Sequence, residues 1–302
     1  MLIVEPYGGR FGNKMWQLMN VLNEAFVNKQ QVKLDNLNYI TPVYPLINLK
    51  KIEEKFKQLF PNDGENKKET FFPRNLHLPN ERKIDIKRYF VMAKMFIIPN
   101  LLFNPEPLDD DICLIHIRSG DLFNENTPHS GYVQPPLSYY KKIINDFKEK
   151  FSKFFIICQP NKENIFGEQY IRVFSGKKIN PCIVELLKLP NVELMSGNLY
   201  EHYSIMLKTK SIILSRSSFS DTTVFLNKNL KNVFFWNWNH CLGDESVLPK
   251  NINVYSYKLT KPYMESWKCS DDQLKLMIDY NIKDVNNVNN VNNVKDRKST
   301  RL

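Results

Sequence analysis

From Ile112 onward the sequence alternates short apolar runs with helical segments, and this alternation limits the possible folds more than any other feature. Apolar strands are predicted at 112–118, 154–158, 192–194, 211–215 and 232–236. Helices are predicted between them, near 137–151, 181–187, 199–208 and 221–226. Strands separated by helices indicate a parallel sheet covered on both faces. We therefore expect an α/β, Rossmann-like unit in this part of the chain.

The N-terminus predicts a β-α-β opening. A strand at 2–5 is followed by a glycine loop and by a helix at about 13–28, in which apolar residues recur at three-and-four spacing. A second short strand follows at 32–34. Because 302 residues exceed the usual limit for a single hydrophobic core, two lobes are expected.

The lobe boundaries follow from the composition of the segments between them. The sequence Asn-Pro-Glu-Pro at 104–107 is the expected linker. The tail repeats the triplet VNN and ends in a basic segment, too polar to bury a face. We expect an N-terminal lobe, a second lobe, a helix crossing the lobes and a disordered tail, at 1–107, 108–262, 263–283 and 284–302.

The net charge indicates which class of partner to expect, and the cysteines indicate the redox compartment. The net charge is +10, but the last 22 residues hold five Lys or Arg and two Asp, which leaves about +7 on the body. This surplus suits an anionic partner, and without a recognisable RNA-binding motif we do not expect it to be a nucleic acid. Five cysteines, an odd number without a C-x-x-C pair, favour a reducing compartment. No 18-residue apolar segment or leader is evident, so we expect no membrane span and a cytoplasmic protein, or a soluble part of a longer chain.

Three of only ten glycines, Gly8, Gly9 and Gly12, cluster between the first strand and the first helix. Glycines there allow close backbone approach, and the helix N-terminus offers N–H groups to an anion or a sugar hydroxyl. The spacing fits neither the dinucleotide-binding fingerprint nor the phosphate-binding loop of NTPases. A tight structural turn is the alternative interpretation.

The segment CLIHIRSGD, Cys113 to Asp121, combines a buried strand with polar residues at its end. Strand alternation places His116 and Arg118 on one face, at the carboxyl end where α/β sheets bind ligands. Arg118 can hold a diphosphate through bidentate contacts, with Asp121 orienting the guanidinium. Alternatively, Arg118 and Asp121 form a structural pair and His116 is a core histidine.

The segment SIILSRSSFSDTT, 211–223, predicts a strand, a serine-rich turn and a helix. Hydroxyls from Ser217, Ser218 and Ser220, together with the N–H groups of the new helix, would form a second anion site. Helix capping by Ser220 or Asp221 is the alternative.

No metal site is expected. The run Asp109–Asp111 precedes its strand, which favours a solvated linker over a metal-binding D-x-D motif. His240 and Cys241 have no second ligand pair at zinc spacing.

Taken together, GGRFGN, HIRSGD and SRSSFS, in this order and spacing, resemble motifs of the superfamily of α1,2-, α1,6- and protein O-fucosyltransferases, and are closest to the α1,2 family. Ser119 stands where several branches have a second arginine. This departure affects the assignment to a branch more than the resemblance to the superfamily. The resemblance implies a GT-B-like fold with two Rossmann-like lobes, whose parallel sheets face a cleft. It also implies GDP-fucose as the donor, with no cofactor and no metal.

The resemblance also implies roles for individual residues. Arg118 would bind the β-phosphate of GDP, and His116 would contact the nucleotide near guanine or ribose. Three residues would line the rest of the GDP pocket: Ser217, Ser218 and Phe219. Four residues would face the cleft from the acceptor lobe: Gly9, Arg10, Gly12 and Asn13.

The implied activity is inverting, metal-independent transfer of fucose to a hydroxyl of a glycan or protein acceptor. Charge developing on the departing diphosphate would be stabilised by Arg118 and helix N-termini. Glu125 is the first candidate for the base, followed by Asp121 and Glu5, and a mechanism without a side-chain base is the further option. The alternatives are another nucleotide-sugar transferase of the same architecture, or a non-catalytic glycan- or nucleotide-binding module.

Overall fold

A computed structural model describes residues 1–4, 10–38, 43, 45–62, 67–69, 86–123, 130–158, 179–236 and 248–290. The chain divides into two compact units, and each is discontinuous in sequence. The first comprises Met1–Glu106 and Ser218–Lys228, and the second comprises Pro107–Ser217 and Asn229–Leu302. Four residues named as candidates above, Glu5, Gly8, Gly9 and Glu125, lie outside the described residues, and so do His240 and Cys241.

The described elements alternate along most of the chain. The strands are β1 (Leu2–Val4), β2 (Val32–Lys33), β3 (Lys67–Glu69), β4 (Ile112–Ile117), β5 (Lys153–Cys158), β6 (Val192–Leu194), β7 (Ser211–Ile213), β8 (Asn232–Trp236), β9 (Asn253–Leu259) and β10 (Val285–Asn290). The helices are α1 (Phe11–Val27), α2 (Leu49–Leu59), α3 (Ile86–Met92), α4 (Leu137–Asp146), α5 (Pro181–Leu186), α6 (Leu199–Met206), α7 (Ser218–Leu226) and α8 (Asp271–Asp279).

The first unit contains a small parallel sheet in the order β2-β1-β3. The predicted β-α-β opening is confirmed, since α1 connects the parallel strands β1 and β2. Helix α1 begins two residues before the predicted start and is buried on nearly all sides. It buries polar as well as apolar groups, and the hydroxyl of Tyr89 in α3 donates to Oδ1 of Asn20 at 2.8 Å.

Helix α7 packs against α1 in the same unit, although it is remote in sequence. A Cβ on Gly12 would lie 2.4 Å from the backbone nitrogen of Phe219 and 2.6 Å from the carbonyl carbon of Ser218. The Ser218 hydroxyl donates to Oδ1 of Asn13 at 2.8 Å, and the Phe11 and Phe219 rings meet edge to face. Only glycine allows the two backbones to approach so closely.

The second unit is built on a seven-stranded sheet in the order β10-β9-β8-β7-β4-β5-β6. Every neighbouring pair is parallel except β9 with β10. From β4 in the centre the chain first builds outward through β5 and β6, then through β7, β8 and β9 on the other side. This is the strand order of a doubly wound, Rossmann-like sheet, and the predicted α/β class and parallel sheet are confirmed.

Three helices of this unit, α4, α5 and α8, pack against one another. Their apolar residues share one core with Cys113, Ile115 and Ile117 of β4, as the alternation of side chains along the strand predicts. Tyr139 of α4 is fully buried, and its hydroxyl lies 3.2 and 3.1 Å from the carbonyl oxygens of Leu214 and Phe234. The helical layer is thereby bonded to two central strands.

The C-terminal region differs from the expected disorder at its beginning. Val285–Asn290 forms β10, antiparallel to β9, and residues 291–302 lie outside the described part. The first valine of the triplet repeat is 1% exposed, and the strand adds a hydrogen-bonded edge to the sheet. The polar composition that predicts disorder does not account for this pairing.

The acidic run before β4 carries ion pairs at the amino ends of the strands. Asp110 lies 3.3 Å from Nζ of Lys210 and 2.9 Å from Nζ of Lys231. These contacts lower the pKa of the Asp110 carboxyl. Because the run lies at the opposite end of β4 from Arg118, it takes no part in the candidate site described below. In the part of the chain that the structure describes, no helix combines the length and hydrophobicity needed to cross a membrane.

Substituting Gly12→Ala is expected to lower the free energy of unfolding by about 1–3 kcal/mol, because the added methyl group meets backbone atoms that cannot rotate away. Gly131→Ala is the matched control, since a Cβ there meets nothing within 4 Å, and it should change stability by less than about 0.5 kcal/mol. Urea unfolding of both variants measures the difference. Equal midpoints for the two variants would contradict the close approach of α1 and α7.

Candidate functional site

The candidate site lies at the carboxyl ends of β4 and β7, where the strand order of the large sheet reverses. These strands are parallel neighbours, with Leu114 opposite Ile212 and Ile115 opposite Ile213. Open α/β sheets bind ligands at such a reversal, because the loops leaving the two strands diverge there. Among the predicted residues, His116 lies in β4, Arg118 comes directly after β4, and Ser217 belongs to the turn after β7.

Arg118 is half-buried at the end of β4, and both its backbone and its side chain contact the segment after β7. Its Nη1 donates to Oγ of Ser217 at 3.2 Å, and its backbone N–H donates to Oγ of Ser215 at 3.2 Å. The side chain of Asn180 donates to the Arg118 carbonyl at 3.1 Å. Arg118 is therefore held on three sides, with its guanidinium already beside the serine-rich turn.

His116 is 4% exposed, and its Nδ1 lies 2.8 Å from Oγ of Ser215. Burial lowers the pKa of His116 to about 3, and the charges of Arg118 and His202 lower it further. The ring is therefore neutral at pH 7. Since Ser215 also accepts from the Arg118 N–H, His116 and Arg118 share one fixed hydroxyl. Whether His116 also contacts a nucleotide stays a prediction.

The turn after Arg118 has a conformation that depends on glycine. Gly120 has φ 72°, in the left-handed region that other residues rarely adopt. The Ser119 hydroxyl accepts from the backbone N–H of Asn180 at 3.0 Å. Asn180 is fully buried and also caps α5, accepting from the N–H of Cys182. Ser119 thus has a structural contact in this chain.

Two further residues contribute to the site without being among the predicted ones. Arg216, the residue between Ser215 and Ser217, is half-buried, and its Cζ lies 6.0 Å from the centre of the Tyr132 ring. Arg118 approaches the same ring at the same distance. The signal in the sequence is the arginine in SRSS, but only the parallel pairing of β4 with β7 places it beside Arg118.

Trp267 contacts described residues on both sides of Glu125 in the sequence. Its indole Nε1 donates to the Leu122 carbonyl at 2.6 Å, and its backbone N–H donates to the Ser130 carbonyl at 2.8 Å. The ring is fully buried and meets Phe123 edge to face. Glu125 itself lies outside the described residues, and so does the side chain of Asp121, although its backbone belongs to the turn Gly120–Phe123.

The remaining predicted residues form a separate cluster in the first unit. Gly12 and Asn13 meet Ser218 and Phe219 through the contacts described above. Arg10 is exposed and precedes α1 in an extended conformation. Both glycine and serine motifs thus lie at helix N-termini that touch each other. Ser217 and Ser218 are consecutive, so the serine-rich turn is the point where the chain passes from the second unit into the first.

The cluster in the second unit is chemically suited to binding phosphate oxygens. Two guanidinium groups supply charge and directional N–H donors, and Ser217 supplies a hydroxyl next to one of them. Burial is the main cause that lowers the pKa of both His116 and His202. The arrangement can bind an anion and stabilise charge that develops on it.

We expect the protein to lose stability as the pH falls from 7.5 to 5.5, in part because of His116. The unfolded chain binds a proton near pH 6.5, whereas folded His116 stays neutral down to about pH 3. This difference costs about 1.4 kcal/mol at pH 5.5, and His116→Gln should remove it. The His202 pKa is also lowered by burial, so His202→Gln should act in the same direction. Urea titrations at both pH values measure the effect, and parallel losses in the native and His116→Gln proteins would contradict a neutral buried His116.

Comparisons of the chain with protein-family models, with curated proteins and with solved structures found no match. The functional assignment therefore depends on the motifs and on the geometry of the site.

Proposed function

We propose that the protein is an inverting, metal-independent fucosyltransferase that uses GDP-fucose and a hydroxyl of a glycan or protein acceptor. The observation that carries the proposal is the contact of Arg118 with Ser217 at the strand-order reversal. This contact unites two of the three motifs on which the resemblance to fucosyltransferases depends. It also supplies an anion-binding group where doubly wound sheets bind nucleotides.

The second step of the proposal concerns the fold. Each unit contains a parallel sheet with helices between its strands, and we assign the two units to the two lobes of a GT-B glycosyltransferase. The second unit would bind the donor, because it contains the larger sheet and both arginines. The first unit, with Gly12 and Asn13 at the start of α1, would face the acceptor.

The proposed chemistry places negative charge on the departing GDP. As the bond between the sugar and the β-phosphate breaks, charge accumulates on the phosphate oxygens, and the fixed Arg118 guanidinium stabilises it without reorganising. The Ser217 hydroxyl accepts a hydrogen bond from the Arg118 guanidinium. Asn180 and Ser215 keep the Arg118 backbone in place.

The acceptor hydroxyl would be deprotonated by a carboxylate. Glu125, Asp121 and Glu5 are the candidates, in that order, and transfer without a side-chain base is the further option. Trp267 is hydrogen-bonded to Leu122 and Ser130, which are described residues on either side of Glu125 in the sequence.

GDP should raise the melting temperature of the native protein by about 5 °C at a concentration a hundred times the Kd, with EDTA present. Arg118→Lys should weaken GDP binding by about tenfold or more, because an ammonium group keeps the charge but loses the bidentate geometry. Differential scanning fluorimetry and calorimetric titration measure the two effects.

Two controls separate fucosyl transfer from the alternatives. Arg88→Gln removes a charge from an exposed position of α3 and should leave GDP binding unchanged. Incubation with a panel of nucleotide sugars should show slow hydrolysis of GDP-fucose and of no uridine or thymidine diphosphate sugar. Hydrolysis of a different nucleotide sugar would show that this sugar, and not GDP-fucose, is the donor. GDP binding without any hydrolysis or transfer would favour a non-catalytic binding module.

A further inference from the structure

The Tyr132 ring lies near two guanidinium groups that come from different strands. The Cζ atoms of Arg118 and Arg216 are each 6.0 Å from the ring centre, so they can be no more than about 12 Å apart. A cation within about 6 Å of an aromatic ring is attracted by the negative face of its π system. One tyrosine ring therefore lies within this range of both arginines.

The parallel pairing of β4 with β7 brings the segments that carry the two arginines to the same edge of the sheet. Ile115 is opposite Ile213, and Arg118 and Arg216 each follow three residues later in the sequence. The Arg118 N–H donates to the Ser215 hydroxyl at 3.2 Å, so the two chains stay together beyond the last paired residues. Arg118 comes directly after β4 and Arg216 three residues after β7, so both arginines follow closely from paired strands.

Tyr132 is itself held by the surrounding backbone. The side chain of Gln134 is fully buried and donates to the Tyr132 carbonyl at 3.0 Å. Two residues earlier, the Ser130 carbonyl accepts from the Trp267 N–H. The ring thus extends from a segment with fixed backbone contacts on both sides, which prepares the site before a ligand arrives.

Two like charges near one ring repel each other, and the repulsion is stronger in a half-buried position than in water. A multiply charged anion that contacted both guanidinium groups would relieve this repulsion. We infer that Arg216 is a second ligand-binding arginine, that Tyr132 sets its spacing from Arg118, and that the pair recognises two linked phosphoryl groups. The inference rests on the proposed function only in taking a nucleoside diphosphate as the natural ligand.

Inorganic pyrophosphate and inorganic phosphate are the probes that test this inference on the full chain. Calorimetric titration with EDTA present should show that the native protein binds pyrophosphate more tightly than phosphate. Arg216→Gln should weaken pyrophosphate binding by about tenfold to a hundredfold, as expected for the loss of charge-assisted hydrogen bonds, and should reduce the preference over phosphate. Arg88→Gln, which makes the same change at an exposed site, should alter neither affinity by more than twofold.

The Tyr132 variants test the positioning role separately from the charge. Tyr132→Phe keeps the ring and should preserve the preference for pyrophosphate, whereas Tyr132→Leu keeps both arginines but should lower that preference severalfold. Because a merely structural role would affect both anions equally, the ratio of the two affinities is the diagnostic measurement. Arg216→Lys should have an unchanged melting temperature and a preference for pyrophosphate between those of the native protein and Arg216→Gln. It replaces Arg216→Gln if that variant does not fold.

The outcomes separate this inference from the proposed function. If GDP binds but Arg216→Gln and Arg216→Lys leave both pyrophosphate and GDP affinity unchanged, the role of Arg216 is refuted and the fucosyltransferase proposal stands. If pyrophosphate binding depends on Arg216 while GDP-fucose is neither bound nor hydrolysed, the inference stands and the proposed function fails. If the native protein does not distinguish pyrophosphate from phosphate, the inference is overturned.

Discussion

The parallel pairing of β4 with β7 is the contact on which the second unit and its candidate site depend. The pair joins the two halves of the seven-stranded sheet, which the chain builds outward in opposite directions. The same pairing places Ser215 within hydrogen-bond distance of both His116 and the Arg118 N–H. A one-residue change of register would turn His116 to the opposite face of the sheet and separate the residues of the site.

Much of this could be predicted locally. Apolar alternation identifies β4 and the face that His116 shares with Arg118, and the parallel sheet follows from strands separated by helices. Glycine clustering marks the start of α1 as a place of close backbone approach, which Gly12 bears out against Ser218 and Phe219. In each case the pattern that carries the prediction lies within one element or between elements adjacent in the sequence, although the segment that Gly12 contacts is remote.

The features that could not be predicted depend on contacts between distant segments. The role of Arg216 requires the β4–β7 register and the position of Tyr132, neither of which leaves a local pattern. Strand β9 has no counterpart among the predicted elements, and β10 pairs although its sequence is highly polar. The assignment of α7 to the first unit depends on packing against α1, about 200 residues away, and no periodicity within α7 reveals it.

The place of α7 has a consequence for how the chain folds during synthesis. N-terminal domains generally fold first as they leave the ribosome, but the first unit here includes residues 218–228. Trp16 of α1 packs edge to face on Phe225 of α7, and Tyr89 contacts the same ring. The aromatic core of this unit therefore stays incomplete until most of the second unit has been translated. The N-terminal segment must wait, with part of its apolar surface uncovered, and neither unit corresponds to a continuous fragment that could be expressed alone.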